Sequence, residues 1–246
     1  MIVTEEKGAL PPDLSRARTV IVTGAAGTLG RAVAKAFGGV GANLVLIDRE
    51  ESALRSAFDN AGENMLLCAA RLDEPAAAIP VVEQAVERFG AIDVLCNVAG
   101  GFYAGDCVHE MRDETWDLLT NTNARTVLHM AQAVIPKMIA ARYGKVINVA
   151  AMAAQAGMAH MGAYCASKSA VLRLTEAMSA ELRGHGINVN SVMPSIIDTA
   201  QNRKDMPDAD FATWVRPVDL ACIILFLASD DARAIHGAGI PVRGAS

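Results

Sequence analysis

Residues 19–40 read TVIVTGAAGTLGRAVAKAFGGV: a β-branched run, a turn with glycines at 24, 27 and 30, and then a helical pattern. A β-branched run with no polar alternation fits a strand buried on both faces. Such a strand needs helices on both sides of its sheet, so the chain is committed to a layered α/β fold from its first ordered segment. Glycines 24, 27 and 30 allow a tight turn and a close backbone approach, and the helix that follows offers its positive end to an anion. Strand, glycine turn and helix in this order form a dinucleotide-binding arrangement, with the pyrophosphate on the helix N-terminus.

The alternation continues along the chain. Strand patterns fall at residues 43–47 (NLVLI), 65–69, 92–97 (IDVLCN), 145–149 (KVINV) and 187–192 (INVNSV), and a GIPV run lies near the C-terminus. Helical patterns separate them, which implies a doubly wound parallel sheet of about seven strands flanked by helices. At 246 residues one such domain buries a full core. Residues 1–18 hold Pro11 and Pro12 with no apolar period, so a mobile leader is expected there and a single dinucleotide-binding catalytic domain over 19–246.

Composition narrows the function. A net charge of −5 without a basic run excludes a nucleic-acid surface. No apolar stretch approaches the roughly 20 residues of a membrane span, and the first residues lack a signal peptide's apolar core, so a cytoplasmic protein is expected. Cysteines 68, 96, 107, 165 and 222 form no pair at metal-ligand spacing and read as free thiols, with no metal site. Cys165 follows Tyr164 on a helix and points about 100° away from it, as a packing thiol would.

The residues with chemistry sit after the strands. Tyr164 and Lys168, four apart, share one helix face, and an ammonium beside a phenol favours the phenolate over a usual pKa of about 10. The pair suits acid/base work, although a half-buried tyrosine beside a surface lysine would show the same spacing. Asp48 ends the second strand, where a carboxylate accepts hydrogen bonds from an adenosine ribose and repels a 2′-phosphate. That favours NAD(H) over NADP(H), with Arg49 softening the preference; the alternative for Asp48 is a helix N-cap. Asn97, Ala99 and Gly100 close the fourth strand at the edge where such sheets bind ligands. Asn121 and Asn123 interrupt the apolar face of one long helix over residues 113–142. They mark either satisfied core amides or a local break that exposes a carbonyl to water or to Lys168. The polar stretch 200–213, with nearly balanced charge, looks like a mobile flap over a site.

Four segments, TGAAGTLG, NVAG, YCASK and MPSIIDT, stand in this order. Together they resemble the classical short-chain dehydrogenase/reductase family, whose fold is a single-domain Rossmann-type sheet. The resemblance implies that Gly24, Gly27, Thr28, Leu29 and Gly30 surround the pyrophosphate, with Thr28 where a glycine is commoner. Asp48 would hold the adenosine ribose, and Asn97 and Gly100 would support the adenine side and the sheet. Tyr164 would be the general acid or base. Lys168 would lower its pKa and hold the nicotinamide ribose, and Asn123 would support the proton-resupplying water chain. Pro194, Ile197 and Thr199 would hold the nicotinamide amide, with Ser195 in place of a glycine. A homotetramer or homodimer is implied as well, and the apolar faces of the helices at 113–142 and 163–183 suit helix pairing.

The family's serine, thirteen residues before its tyrosine, is replaced here by Ala151. Losing one donor to a developing oxyanion costs other enzymes roughly 3 to 4 kcal/mol. Gln155, His160 or Tyr103 would then have to supply the hydrogen bond, or the substrate would have to need only the tyrosine. The dihydropteridine reductases, a related group that also lacks this serine, reduce a quinonoid ring in that way. A nucleotide-binding sensor or structural subunit with little turnover is the remaining reading. Met158, Met161, Phe102 and Tyr103 suggest a small, fairly apolar substrate.

Overall fold

The computed structural model describes residues 17–245. In chain order these form β1 (Thr19–Thr23), α1 (Thr28–Gly39), β2 (Asn43–Asp48), α2 (Glu51–Ala57), β3 (Met65–Ala69), α3 (Ala78–Phe89) and β4 (Val94–Asn97). They continue with α4 (Asp113–Thr120), α5 (Thr126–Ala141), β5 (Gly144–Val149), α6 (Gly162–Leu182), β6 (Ile187–Pro194), α7 (Ala200–Asp205), α8 (Pro217–Leu227) and β7 (Gly239–Val242). The seven strands make one sheet, ordered β3-β2-β1-β4-β5-β6-β7, with every pairing parallel. The chain winds outward from β1 to β3 and then crosses to β4. The carboxyl ends of β1 and β4 therefore face a topological switch point, where ligands bind in such sheets.

Two apolar cores explain why β1 and β2 are apolar along their length, while β4, β5 and β6 also carry buried polar residues such as Asn97, Lys145, Asn148, Asn188 and Asn190. Ile21, Val45, Ile47 and Leu95 point to one face, where α3, α5 and α6 contribute Val82, Met130, Val134 and Val171. Val20, Val22, Leu44 and Leu46 point to the other, against Val33 and Phe37 of α1 and Leu220 and Ile224 of α8. Side chains alternate across a strand, so a strand covered on both faces carries apolar residues on both, or polar ones that find hydrogen-bond partners, as Asn148 and Asn190 do.

Several local expectations are refined. β4 begins at Val94 rather than at residue 92; just before it, the Asp93 carboxylate accepts the Thr19 N–H at 2.7 Å. The single long helix divides into α4 and α5 around a π-helical turn, Asn121–Arg125. Part of the 200–213 stretch is helical: Thr199 caps α7 by accepting the Asn202 N–H (3.1 Å), and Asp198 and Arg203 form a two-pronged ion pair. The leader expected over residues 1–18 lies outside the described residues except at its end, where Arg18 pairs with Asp230 at 2.5 Å. Among the described residues no helix is long and apolar enough to cross a membrane.

Candidate active site

The glycine turn has little room for anything else. Gly24 has φ +63°, and a Cβ there would lie 2.8 Å from Ala99 Cα; a Cβ on Gly30 would lie 2.1 Å from Gly24 O. Both contacts are with backbone, so neither position tolerates a side chain without moving the turn. Gly27 stands at the N-cap of α1, and the first helical bond runs from the Arg31 N–H to Gly27 O at 2.9 Å. Thr28, Leu29 and Gly30 therefore bring the free first-turn N–H groups to the switch point. The Leu29 side chain is buried in the core, which leaves its N–H as the group available to a ligand. These features fit a pyrophosphate: a cradle that a Cβ would fill, lined with unspent donors.

Asp48 serves the same turn. Its Oδ2 accepts the Ala26 N–H at 3.0 Å and its Oδ1 accepts the Arg49 N–H at 2.8 Å. It does not cap α2, whose N-cap position is Glu50. Thr23, which the sequence reading did not single out, joins β1 to β4: its Oγ1 accepts the N–H groups of Val98 and Ala99, each at 3.0 Å. Its only signal was a hydroxyl at the end of an apolar strand, directly before Gly24.

Asn97 is a brace. It is buried and donates to Asn148 Oδ1 (2.8 Å), Asn148 donates to Thr175 Oγ1 (2.8 Å), and Thr175 donates to Val171 O (2.8 Å). This ladder fastens β4 through β5 to α6. Asn148 and Thr175 were also missed, although an asparagine inside the KVINV strand was the available sign.

The chemistry is gathered where β4, the π turn and α6 meet. Asn123 is buried, accepts the Gly101 N–H at Oδ1 (2.8 Å), and donates from Nδ2 to Gly101 O (3.1 Å) and Ser167 Oγ (2.9 Å). Asn123 is thus a satisfied core amide and also lies within a local helix break, the π-helical turn. The Lys168 ammonium donates to Val149 O at 2.9 Å rather than to a carbonyl of the break. Gly100 lies against both: a Cβ there would be 2.9 Å from Asn123 Oδ1 and 3.0 Å from Lys168 Nζ. Tyr164 is one turn before Lys168, and the Phe102 ring meets its ring edge-on at 4.9 Å.

Electrostatics correct one expectation. Lys168 does not pull the Tyr164 pKa down here; burial pushes the phenol up to about 12, with Cys165 adding to the rise. Burial also lowers Lys168 to about 8. Desolvation penalises the charged form of each group. Tyr164 is accordingly held as a phenol at neutral pH.

Ala151 is buried and extended, directly before a 3-10 turn at Met152–Ala154. Of the three residues considered as replacement donors, Tyr103 already donates to Asp106 Oδ1 (3.1 Å) and His160 Nδ1 lies 3.7 Å from Cys107 Sγ. Gln155 lines a cleft of about 530 Å³ with Ser169, Arg173 and Glu176 of α6. Those α6 residues lie 120° or more around the helix from Tyr164, so Gln155 opens onto a different face. Pro194 ends β6, and the chain beyond it carries Ile197, which bridges to Val215, and Thr199, the α7 cap. Ser195 anchors this segment, its N–H donating to Val242 O (2.8 Å) and its Oγ to Arg243 O (3.0 Å).

The short chain dehydrogenase family matches residues 18–210. The chain belongs to the short-chain dehydrogenase family. Short-chain dehydrogenases similar to it include a sorbitol dehydrogenase of Cereibacter sphaeroides, 36% identical over 198 residues that cover 80% of this chain and 76% of that protein. A 3-oxoacyl-(acyl-carrier-protein) reductase FabG of Thermotoga maritima is 31% identical, covering 92% of this chain and 96% of its own. Among solved structures, NAD⁺-bound xylitol dehydrogenase superposes with a TM-score of 0.85 at 25% identity, covering 92% of this chain and 98% of that one. The chain is thus an oxidoreductase by family, with a Rossmann-like sheet of family type.

Proposed function

We propose that this short-chain dehydrogenase uses NAD(H) to move hydride between nicotinamide and the carbonyl or secondary alcohol carbon of a small substrate, with Tyr164 as acid/base. The observation that carries the reading is the contact at Gly100, where Asn123, Lys168 and the end of β4 converge beside the Tyr164 helix. Bound NAD(H) would supply the hydride. Gly24, Gly27 and Gly30 would hold the pyrophosphate with the Thr28 and Leu29 N–H groups, Asp48 the adenosine ribose, and Lys168 the nicotinamide ribose. Pro194, Ile197 and Thr199 would face the nicotinamide amide.

A phenol held at about 12 is a proton donor at neutral pH, which suits protonation of a carbonyl oxygen as hydride arrives. The Asp48 carboxylate at the ribose end supports NAD(H) over NADP(H), and a similar xylitol dehydrogenase was solved with NAD⁺. Exposed Trp116, Leu118 and Leu128 on α4 and α5 support assembly into a homotetramer or homodimer. Free thiols at all five cysteines suit the cytoplasm. Residues 19–246 would act as one catalytic unit.

A second reading follows from Ala151: with a methyl at that position, a quinonoid substrate that needs only the tyrosine's proton is served as well as a ketone. The test is NADH oxidation against ketones, diketones, keto esters, quinones and quinonoid dihydropterin, run beside Tyr164→Phe. Turnover that disappears in the Phe variant supports the assignment, and the preferred substrate separates the two readings. Turnover that survives the substitution refutes the role of Tyr164, and tight NADH binding with no turnover on any substrate points to a nucleotide-binding subunit.

A further inference from the structure

Two loops meet beside Tyr164. Residues 98–112 carry Phe102, which packs on the Tyr164 ring, and residues 155–161 lead into α6. The Gly105 N–H donates to His160 O at 2.9 Å, and His160 takes φ +61°, a left-handed conformation uncommon for histidine. This arrangement sets His160 Nδ1 3.7 Å from Cys107 Sγ, across the junction of the loops. Next to them Asp106 Oδ2 is buried without a hydrogen-bond partner, while Oδ1 takes the Tyr103 hydroxyl.

The other thiols differ in kind. Cys68, Cys96 and Cys165 are buried, and burial pushes Cys68 up to about 11 and raises Cys96 as well. Cys222 is exposed on α8, while Cys107 is partly exposed and already paired with an imidazole.

We propose that Cys107 and His160 form a thiol-exchange site for low-molecular-weight disulfides, placed on the loops that flank Tyr164. With its proton on Nε2, His160 accepts the Cys107 S–H at Nδ1. Sγ attacks one sulfur of the disulfide, the reagent's S–S bond breaks, and the departing thiolate takes the proton from the imidazolium. One thiol and one disulfide give one mixed disulfide and one thiol. The chemistry stands apart from the redox function proposed above.

The test is a time course with oxidised glutathione, read by peptide mapping, on the wild type, Cys107→Ser and His160→Asn. Asparagine tolerates the left-handed backbone, and Cys222 serves as an internal control. The expected result is a Cys107 adduct forming about tenfold faster than one at Cys222, and slowing to the Cys222 rate in His160→Asn. Cys107→Ser should leave only the slow adduct. An equal or faster reaction at Cys222 in the wild type overturns the proposal, as does an unchanged Cys107 rate in His160→Asn. Adducts at Cys68 or Cys96 would report an unfolded variant, and the wild-type ranking then decides.

Discussion

Lys168 is held at a cost in stability, and replacing it should make the protein more stable while removing its activity. Burial lowers its pKa from 10.5 to about 8. At about 1.4 kcal/mol per pH unit, that difference is a penalty of about 3 kcal/mol on the buried ammonium below pH 8. In Lys168→Met an apolar side chain of similar length takes its place, and Val149 O loses its 2.9 Å hydrogen bond, which costs about 1 kcal/mol. The net is a gain of about 2 kcal/mol at pH 7, or about 4 to 8 °C in melting temperature for a chain of this size. The pH dependence gives the argument its sign. Between pH 8 and 10.5 the unfolded chain holds the Lys168 proton and the folded chain has released it, so wild-type stability rises with pH as the penalty fades. The advantage of the variant should therefore be full at pH 7, shrink above pH 8, be gone just below about pH 10 and reverse slightly above it. Urea and thermal melts of both proteins at pH 7 and at pH 9.5, with turnover measured on the same samples, check this. A variant less stable than the wild type at pH 7, or a gap that does not change with pH, would refute the account of a penalised ammonium.

Other substitutions address the remaining parts of the site. Gly100→Ala places a methyl 2.9 Å from Asn123 Oδ1 and 3.0 Å from Lys168 Nζ, forcing a shift of about 0.5 Å. Turnover should fall roughly tenfold while the melting temperature changes little, as steady-state kinetics and a thermal melt would show. Asp48→Ala removes the charge facing a 2′-phosphate, so kcat/KM for NADPH relative to NADH should rise at least about tenfold, a small part of the repulsion between near charges. An unchanged ratio would take Asp48 out of cofactor selection. Ala151→Ser restores a hydroxyl before the tyrosine and should raise turnover of unactivated ketones by about a hundredfold. No increase would mean that another donor already reaches the substrate oxygen.

The parts of the fold legible in the sequence are those governed by one-dimensional rules. TVIVT and NLVLI announce two-faced burial by lacking polar alternation, and the glycines at 24 and 30 announce backbone contacts that the structure places at 2.8 and 2.1 Å from an added Cβ. Of the positions the family resemblance names, Gly100, Asn123 and Lys168 come together in the structure. What stayed hidden depends on where segments meet. The π turn at Asn121–Arg125 carries Asn123, whose side chain reaches sideways to Gly101 and Ser167, partners 22 and 44 residues away. Helical spacing reports the nearness of Lys168 to Tyr164 but says nothing of how much water the fold removes from both, and it is burial that raises the phenol and lowers the ammonium.

The same distinction explains how an apolar sheet carries a polar site. The middles of the strands are too buried to hold solvated charges, so the side chains of the proposed site stand at the strands' last residues, as Asp48 does, or on the segments that follow. They are kept in place by neutral groups that cross the core hydrogen-bonded to one another: the Asn97–Asn148–Thr175 ladder and the Asn123 clasp on Gly101 and Ser167. Both reach α6 from different sides, one from β5 and one from the π turn. A buried amide left half-bonded costs about 1–3 kcal/mol, so a shift of α6 that broke either set would be opposed by both. Tyr164 and Lys168 are thus located by hydrogen bonds made elsewhere on their helix, which leaves the phenol and the ammonium free of structural duties except the one bond to Val149.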